Sequence, residues 1–316
     1  MGSDTMKAVR IHGFGGPEQL VYEDVPRPSA GAGEVLVRIH ATGINPVDWK
    51  SREGRGVAAE EQTFPLILGW DVSGTVAEVG EGVAALRKGD QVYGMIRFPG
   101  WGSAYAEYAS APVSDLALKP ASVDHVQAAA VPLAALTAWQ ALFEFADLRP
   151  GQRVLIHAAA GGVGHLAVQL AKWRGAYVIG SASARNGALV RELGADEVID
   201  YTAAPFEQQV RDVDVVLDAV GGETLERSLA VVRPSGVLVS IVGRPDEQAA
   251  EARGVRAGWV LVRPHAEQLA QLSQLIDAGT LRVLVETVLP LPEAAEAHRQ
   301  SQSGRTRGKI VLQVLP

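Results

Sequence analysis

The residues Arg153-Val154-Leu155-Ile156-His157-Ala158-Ala159-Ala160-Gly161-Gly162-Val163-Gly164 decide the fold. A short β-branched and leucine-rich run enters a turn of small residues, and Leu166-Ala167-Val168-Gln169-Leu170 then follows with helical spacing. Strand (153–157), glycine turn and helix (162–174), in that order, are the setting a dinucleotide-binding turn requires. Ala159 stands where the first glycine of the pattern usually sits. Gly161 lets backbone approach a pyrophosphate, and Gly164 lets the helix pack closely on the sheet. The N–H groups from Ala160 through Gly162, Val163 and Gly164 lie at the positive end of that helix and are expected to hold the phosphates. Alone, such a turn is also compatible with no ligand, so its surroundings matter.

Outward from the turn, strands are expected at 177–181, 197–200, 213–218, 236–242 and 256–262, with a helix at 187–193. Buried Val/Ile/Leu-rich strands alternating with helices imply a parallel, doubly wound sheet. Upstream, residues 6–120 read as all-β, with runs at 6–11, 34–42, 72–79, 90–95 and 104–109 punctuated by Gly, Pro and Asp, as in a barrel or sandwich. Residues 49–64 are polar and rich in Gly, Glu and Arg, and read as a mobile surface loop. Residues 123–146 are Ala-rich and helical, and Pro150-Gly151 stops them. After 263 come a helix (265–278), a strand (281–289), a short helix (292–301) and a last strand (309–314). The expected organisation is an α/β chain with a dinucleotide-binding domain at 122–263, inserted between 1–121 and 264–316 of a β domain. Met1–Thr5 reads as a short leader, because Met6-Lys7-Ala8-Val9 opens directly into a strand.

Composition narrows the function. A chain of 316 residues is too long for one core of usual size. The net charge of −7 offers no basic stripe for nucleic acid. The absence of cysteine excludes disulfides, thiolate catalysis and Cys-based metal sites, and fits a reducing compartment. No apolar run approaches the roughly 20 residues that span a bilayer, and the N-terminus has no apolar signal region. A cytoplasmic protein with no membrane partner is expected.

The strand after the glycine turn reads on the nucleotide. It ends Gly180-Ser181-Ala182-Ser183-Ala184-Arg185-Asn186. An NAD site usually places Asp or Glu there to bond the ribose 2′-OH, and none is present. Ser183 and Asn186 can donate hydrogen bonds, and Arg185 can pair with a 2′-phosphate. A cation at a helix start is disfavoured by the dipole, so an anion nearby accounts for Arg185 better than solvent does. The expected cofactor is NADPH.

Several further segments carry a resemblance. They are Gly43-Ile44-Asn45-Pro46-Val47-Asp48-Trp49-Lys50; Leu68-Gly69-Trp70-Asp71-Val72-Ser73-Gly74; Lys88-Gly89-Asp90-Gln91-Val92-Tyr93-Gly94; Gly194-Ala195-Asp196-Glu197-Val198-Ile199-Asp200-Tyr201; Val213-Asp214-Val215-Val216-Leu217-Asp218; and Gly308-Lys309-Ile310-Val311-Leu312. With the glycine turn, they resemble the medium-chain dehydrogenase/reductase superfamily, in its zinc-independent quinone oxidoreductase and enone (alkenal) reductase branch. The resemblance covers nearly the whole chain from Met6. It implies a GroES-like β domain built from both chain ends plus a Rossmann domain, with the site in the cleft between them. Asn45 stands where zinc-dependent members have their first Cys, and Trp70 where they have a His. Too few ligands then remain for tetrahedral zinc.

The resemblance also implies hydride transfer from NADPH to a small quinone or α,β-unsaturated carbonyl. A non-catalytic NADPH-binding sensor or structural protein of the same fold is the alternative. Asn45, Asp48 and Lys50 are the candidate catalytic residues. Asn45 is expected to position the nicotinamide ribose or substrate oxygen. Lys50 is expected to stabilise the developing oxyanion, or else to be a surface lysine. Asp48 either orders the turn, pairs with Lys50 or acts chemically. Thr137, Tyr201, Val220, Ser240, Ile241 and Val242 join the expected cofactor contacts. Trp49, Phe98, Trp101 and Tyr105 are the aromatic candidates for the acceptor pocket, with packing of the barrel rim as the alternative for the last three. The apolar strand 255–263 is expected at the sheet edge, where a second copy would pair to give a homodimer.

Overall fold

The computed structural model describes residues 4–58 and 63–315, so parts of the leader and of the loop read at 49–64 lie outside the described residues. The chain divides into two units, Met1–Leu136 with Arg263–Gly279 and Val283–Pro316, and Thr137–Val262 with Thr280–Arg282. The first unit opens with β1 (Thr5–Ile11), β2 (Val21–Pro26), β3 (Glu34–Gly43), α1 (Pro46–Arg52), β4 (Leu66–Ile67), β5 (Asp71–Val79), β6 (Gln91–Met95), β7 (Tyr108–Pro112), β8 (Leu116–Leu118) and α2 (His125–Ala129). Helix α3 (Pro132–Trp139) contains the division. The second unit follows with β9 (Arg153–Ile156), α4 (Gly164–Trp173), β10 (Tyr177–Ala182), α5 (Gly187–Glu192), β11 (Glu197–Asp200), β12 (Val213–Asp218), α6 (Gly222–Ser228), β13 (Val232–Ser240), α7 (Glu247–Ala252) and β14 (Arg256–Trp259). The first unit closes with α8 (Ala266–Asp277), β15 (Val285–Pro290), α9 (Ala294–Gln302) and β16 (Lys309–Gln313).

In the first unit the main sheet runs β15-β16-β3-β5-β6-β8, with β7 also paired to β3, beside a small sheet β2-β1-β4. Alternate positions of β3 and β5 turn Val35, Val37, Ile39, Val72 and Val76 into one core with Val92 and Ile96. Burying each such side chain contributes about 1.5–3 kcal/mol. One register matters for function: Val311 of β16 pairs with Gly43 of β3, which sets Lys309 beside the end of β3. A side chain at Gly43 would meet the Ala129 carbonyl at 2.4 Å, so α2 comes this close to β3 only over glycine.

The second unit is a parallel sheet in the order β11-β10-β9-β12-β13-β14. The chain winds from β9 outward to β11, then from β12 outward to β14. Its direction therefore reverses between β9 and β12, and the crevice at their carboxyl ends is where such sheets bind ligands. Leu155, Ile179, Val216, Leu238 and Phe206 belong to its core.

Local boundaries differ from expectation for physical reasons. The expected loop at 49–64 begins inside α1. Asn45 and Asp48 form a capping box, Pro46 takes the first turn, and the buried face carries Asp48, Ser51 and Arg52 rather than apolar residues, which hid the helix. The expected strand at 104–109 starts as a regular ladder only at Tyr108. Before that, Ala104 and Tyr105 donate to Gly69 and Leu68 while Tyr105 O accepts from Val9, so the chain bridges different partners. The helical stretch 123–146 breaks before Pro132, and its end, Gln140–Phe145, widens into a π-helix. Helix α2 packs on β3 and β5, so the division between units falls at Leu136 rather than at 121.

Candidate active site

At the end of β9, His157 is a core strut. The Ser228 hydroxyl donates to Thr224 O (2.6 Å), so it accepts from His157 Nε2 (3.0 Å), and His157 Nδ1 then accepts from Ser181 (2.9 Å). Burial pushes this imidazole down to about 4, in keeping with a neutral ring. The chain then turns through Ala158 at positive φ, and Gly161 N–H donates to Ala158 O at 2.8 Å. A Cβ on Gly164 would lie 2.1 Å from Ala158 O, so only glycine lets α4 start here. The amides of Gly162, Val163 and Gly164 meet no acceptor among the described residues. This is a cradle of donors at a helix start, and it fits a pyrophosphate.

Across the reversal point, β12 ends in Asp218, a residue the motif contained but sequence reasoning did not single out as functional. Its buried carboxylate accepts from Ser240 Oγ (2.8 Å) and from the amides of Val220 and Gly221 (3.1 Å each). Ser240 Oγ in turn accepts from the amides of Val242 and Gly243 (3.3 Å each). The pair thus shapes both loops, with Ile241 half-buried and Val220 and Val242 left 52% and 38% exposed at the strand ends. The only sequence signal was an Asp three residues before a glycine.

At the end of β10, Ser183 is half-buried, Arg185 is exposed in a short 3-10 turn, and Asn186 Oδ1 is buried without a partner. No carboxylate lies on 180–186. Asp200 stands one strand over, in register with Ala182, and is engaged by the Thr202 N–H (2.9 Å) and hydroxyl (2.6 Å). Tyr201 beside it is 56% exposed. Thr137 is buried in α3.

In the first unit, β3 delivers Ile44 and Asn45 to the start of α1. Ile44 N–H donates to Ile310 O (2.9 Å), and Ile44 O accepts from Lys309 Nζ (2.8 Å). The Asn45 side chain is buried and held at both ends. Its Oδ1 accepts from Lys309 Nζ, and its Nδ2 donates to Asp71 Oδ2 at 2.8 Å. Asp71 Oδ1 takes the Leu133 N–H (2.8 Å), and Lys309 Nζ lies 3.8 Å from Asp71. Burial pushes the Asp71 carboxyl up and the Lys309 ammonium down. Sequence reasoning quoted Lys309 within a motif without assigning it a role.

A second chain of bonds reaches Asp48. Arg52 only donates, so its Nη1 fixes His298 Nδ1 as acceptor (3.1 Å), leaving the proton on Nε2. His298 Nε2 then donates to Tyr105 Oη (3.0 Å), and the Tyr105 hydroxyl donates to Asp48 Oδ2 (2.8 Å). The same oxygen accepts the Asn45 N–H (2.6 Å). Burial pushes His298 down to about 3 and Asp48 up to about 7. Asp48 is thus bonded to the Asn45 N–H that opens α1 and to Tyr105, and no bond joins it to Lys50 among the described residues. Lys50 is half-buried, its ammonium 5.6 Å from the Trp49 ring centre, with its pKa lowered by burial and then by Arg55.

The aromatic candidates separate. Tyr105 is fully buried in the Asp48 chain, in keeping with packing, the alternative to a place in an acceptor pocket. Phe98 is buried edge-on to Trp70, and Trp101 stacks on Trp70, so both pack around its indole. Trp49 remains half-buried beside Lys50. Among the described residues, the buried side-chain polar atoms without a partner are Asp48 Oδ1, Trp49 Nε1, Ser51 Oγ, Asn186 Oδ1 and Glu207 Oε2. Three of these sit on one turn of α1 and a fourth at the end of β10. Unsatisfied buried groups are costly and rare, so their concentration marks segments that meet water or a ligand.

Comparison with known proteins agrees with this anatomy. Residues 31–121 match the alcohol dehydrogenase GroES-like domain, and residues 193–312 match the zinc-binding dehydrogenase family. The chain is 35% identical to the mitochondrial NAD(P)H oxidoreductase RTN4IP1 of Danio rerio, over 89% of this chain and 84% of that protein. It is 33% identical to the chloroplastic NADPH-dependent alkenal/one oxidoreductase of Arabidopsis thaliana, over 98% of this chain and 80% of that one. Among solved structures, the quinone oxidoreductase from Coxiella burnetii superposes with a TM-score of 0.93 at 38% identity, covering 98% of this chain and 99% of that chain. The chain is thus an NAD(P)H oxidoreductase with a GroES-like domain and a Rossmann-type parallel sheet, and it belongs to the medium-chain dehydrogenase/reductase superfamily, in the zinc-independent branch of the quinone and alkenal oxidoreductases.

Proposed function

We propose that the protein uses NADPH to reduce a quinone or an α,β-unsaturated carbonyl compound without zinc. The observation that carries this reading is the pairing of a half-buried Lys50 with unpartnered polar atoms on the same turn of α1. A bound nicotinamide would supply the hydride. The residues of this chain supply the rest. The cradle of Gly161, Gly162, Val163 and Gly164 suits the pyrophosphate, with Gly164 too tightly packed to accept a side chain. Exposed Arg185 and the absence of a carboxylate on 180–186 favour a 2′-phosphate. Lys50, with its pKa lowered by burial, offers a charged donor to the oxygen that turns negative as reduction proceeds. One well-placed donor of this kind contributes about 3–4 kcal/mol to the transition state. Asn45 and Asp48 act by holding α1: both ends of the buried Asn45 amide are engaged, and Asp48 Oδ2 accepts from the Asn45 N–H while Oδ1 has no partner. The names of the Arabidopsis and Coxiella relatives support both acceptor classes.

The same reading includes a homodimer formed across β14 and a cytoplasmic protein. β14 is an edge of the sheet, which supports the first. The lack of cysteine and of any membrane-crossing helix among the described residues agrees with the second. Relatives bear mitochondrial and chloroplastic names, and cell fractionation decides the location.

The test is NADPH oxidation against quinones, short alkenals, cyclic enones and acyl thioesters, with and without a chelator, for wild type and Lys50→Met. The expected result is chelator-resistant turnover with at least one class, and a tenfold or greater loss for alkenals in Lys50→Met. Turnover that needs stoichiometric zinc, or an unchanged single-turnover rate in the variant, overturns the corresponding part.

A further inference from the structure

Lys309 is a buried cation that the proposed chemistry does not use. Its ammonium has three donors. Two are spent on Ile44 O and Asn45 Oδ1, and the third side faces Asp71 at 3.8 Å. The two ends of an asparagine amide differ only in oxygen against NH2, so shape alone does not orient it. Here a cation meets the oxygen and a carboxylate meets the nitrogen. A flip would set NH2 against ammonium and oxygen against carboxylate, losing two charge-assisted bonds at once. Asn45 is also the N-cap of α1, and its backbone N–H closes the box with Asp48. The last strand of the chain therefore grips the turn at three atoms: Ile44 N through Ile310, Ile44 O, and Asn45 Oδ1.

We propose that Lys309 is a positioning residue for the reduction, whose ammonium fixes the Asn45 amide and thereby the turn that presents Lys50. This rests on the reading of Lys50 given above. The guanidinium of arginine is planar and larger, and it does not reproduce two bonds plus an ion pair from one nitrogen. Losing the ammonium alone leaves Asp71 as an uncompensated buried charge, which endangers folding. The double variant Lys309→Met/Asp71→Asn removes both charges together and separates folding from positioning.

The experiment compares wild type, Lys309→Met, Lys309→Met/Asp71→Asn and Lys50→Met. Three quantities are read: amide hydrogen exchange of residues 44–50, NADPH affinity by fluorescence, and the single-turnover rate of NADPH oxidation with a short alkenal. In the folded Lys309 variants we expect exchange at 45–48 to rise at least tenfold while β3 and β5 stay protected. The single-turnover rate should fall at least tenfold, with NADPH affinity changed less than twofold. Wild-type exchange in 44–50 overturns the proposal whatever the rate does. Faster exchange with a wild-type rate also overturns it, since the grip then has no bearing on reduction. If the Lys309 variants lose both protection and rate while Lys50→Met is inert, Lys309 stands as a positioning residue and the Lys50 reading alone falls.

Discussion

Two glycines three residues apart should respond differently to the same added methyl group. At Gly164 a Cβ would lie 2.1 Å from Ala158 O and 2.8 Å from both Ala158 C and Ala159 Cα. All three are backbone atoms of the turn, so no side-chain rotation relieves the clash. Opening the first contact to 3.0 Å requires the turn and α4 to separate by about 0.9 Å. Overpacking of this kind costs about 1–3 kcal/mol. For a unit of this size that corresponds to a fall of roughly 2–12 °C in Tm. At Gly161 the closest atom is Ala158 O at 3.2 Å, and a few tenths of an ångström suffice. Gly161→Ala should therefore melt within about 2 °C of wild type while placing a methyl group on the face read as the pyrophosphate cradle. Its NADPH affinity should fall at least tenfold, about 1.4 kcal/mol. Gly164→Ala should lose both stability and affinity. Thermal melts followed by circular dichroism and NADPH titrations by fluorescence measure the two quantities. A Gly161→Ala variant with wild-type affinity would refute the placement of the pyrophosphate. A Gly164→Ala variant with wild-type Tm would refute the close packing of α4 on the turn.

Three further outcomes follow. Arg185→Ala should weaken NADPH binding at least tenfold and NADH binding less than twofold in fluorescence titrations, and equal losses would show that Arg185 does not read the phosphate. Burial depresses His157 to about 4, below the ordinary imidazole value of about 6.5, so the folded state binds fewer protons and its stability falls as pH drops from 6.5 toward 4. His157→Gln should flatten that dependence by about one proton, roughly 1.4 kcal/mol per pH unit in denaturant titrations at pH 4.5–6, and an unchanged slope would mean that the histidine is charged in the fold. Light scattering at micromolar concentration should give a dimer, and a monomeric wild type removes the edge-pairing argument.

The glycine turn was legible because its constraint is local: strand, close approach and helix start all fall within a dozen residues. The same holds for the alternation of β9 to β14 and for the absence of a carboxylate on 180–186. The segment 45–50 was legible as important, but its internal roles were not. Asn45 was read toward nicotinamide or substrate, whereas its amide is committed to Lys309 and Asp71. Tyr105 was read as a stacking surface or a packed rim residue, and neither reading foresaw that its hydroxyl bridges His298 and Asp48. These partners lie 26 to 264 residues apart in sequence. The pairing of β5 and β16 with β3 and the return of α9 bring them together, and no local spacing encodes that. Asp218 escaped for a different reason. An Asp at a strand end is ordinary, and only its bonds to two loops distinguish it.

The charges buried around α1 call for more than a stabilising role. Asp48, Asp71, Arg52 and Lys309 have side chains almost wholly removed from solvent. Removing such groups from water is expensive, and replacing a buried pair by packed apolar residues is often neutral or stabilising by about 1–4 kcal/mol. The neighbours of Lys309 on β16 show that apolar packing is available, since Ile310 and Leu312 already lie in the core. Apolar packing holds a backbone in place but does not distinguish the two ends of an amide or fix the proton of an imidazole. The buried charges do both. Lys309 and Asp71 orient Asn45, while Arg52 sets the tautomer of His298 and so the direction of the bonds through Tyr105 to Asp48. The two chains meet at the Asn45–Asp48 box, two residues before Lys50. A turn restrained from both sides by directional bonds keeps one arrangement, and a donor worth several kcal/mol in a transition state has that value only when its position is held within about 0.5 Å.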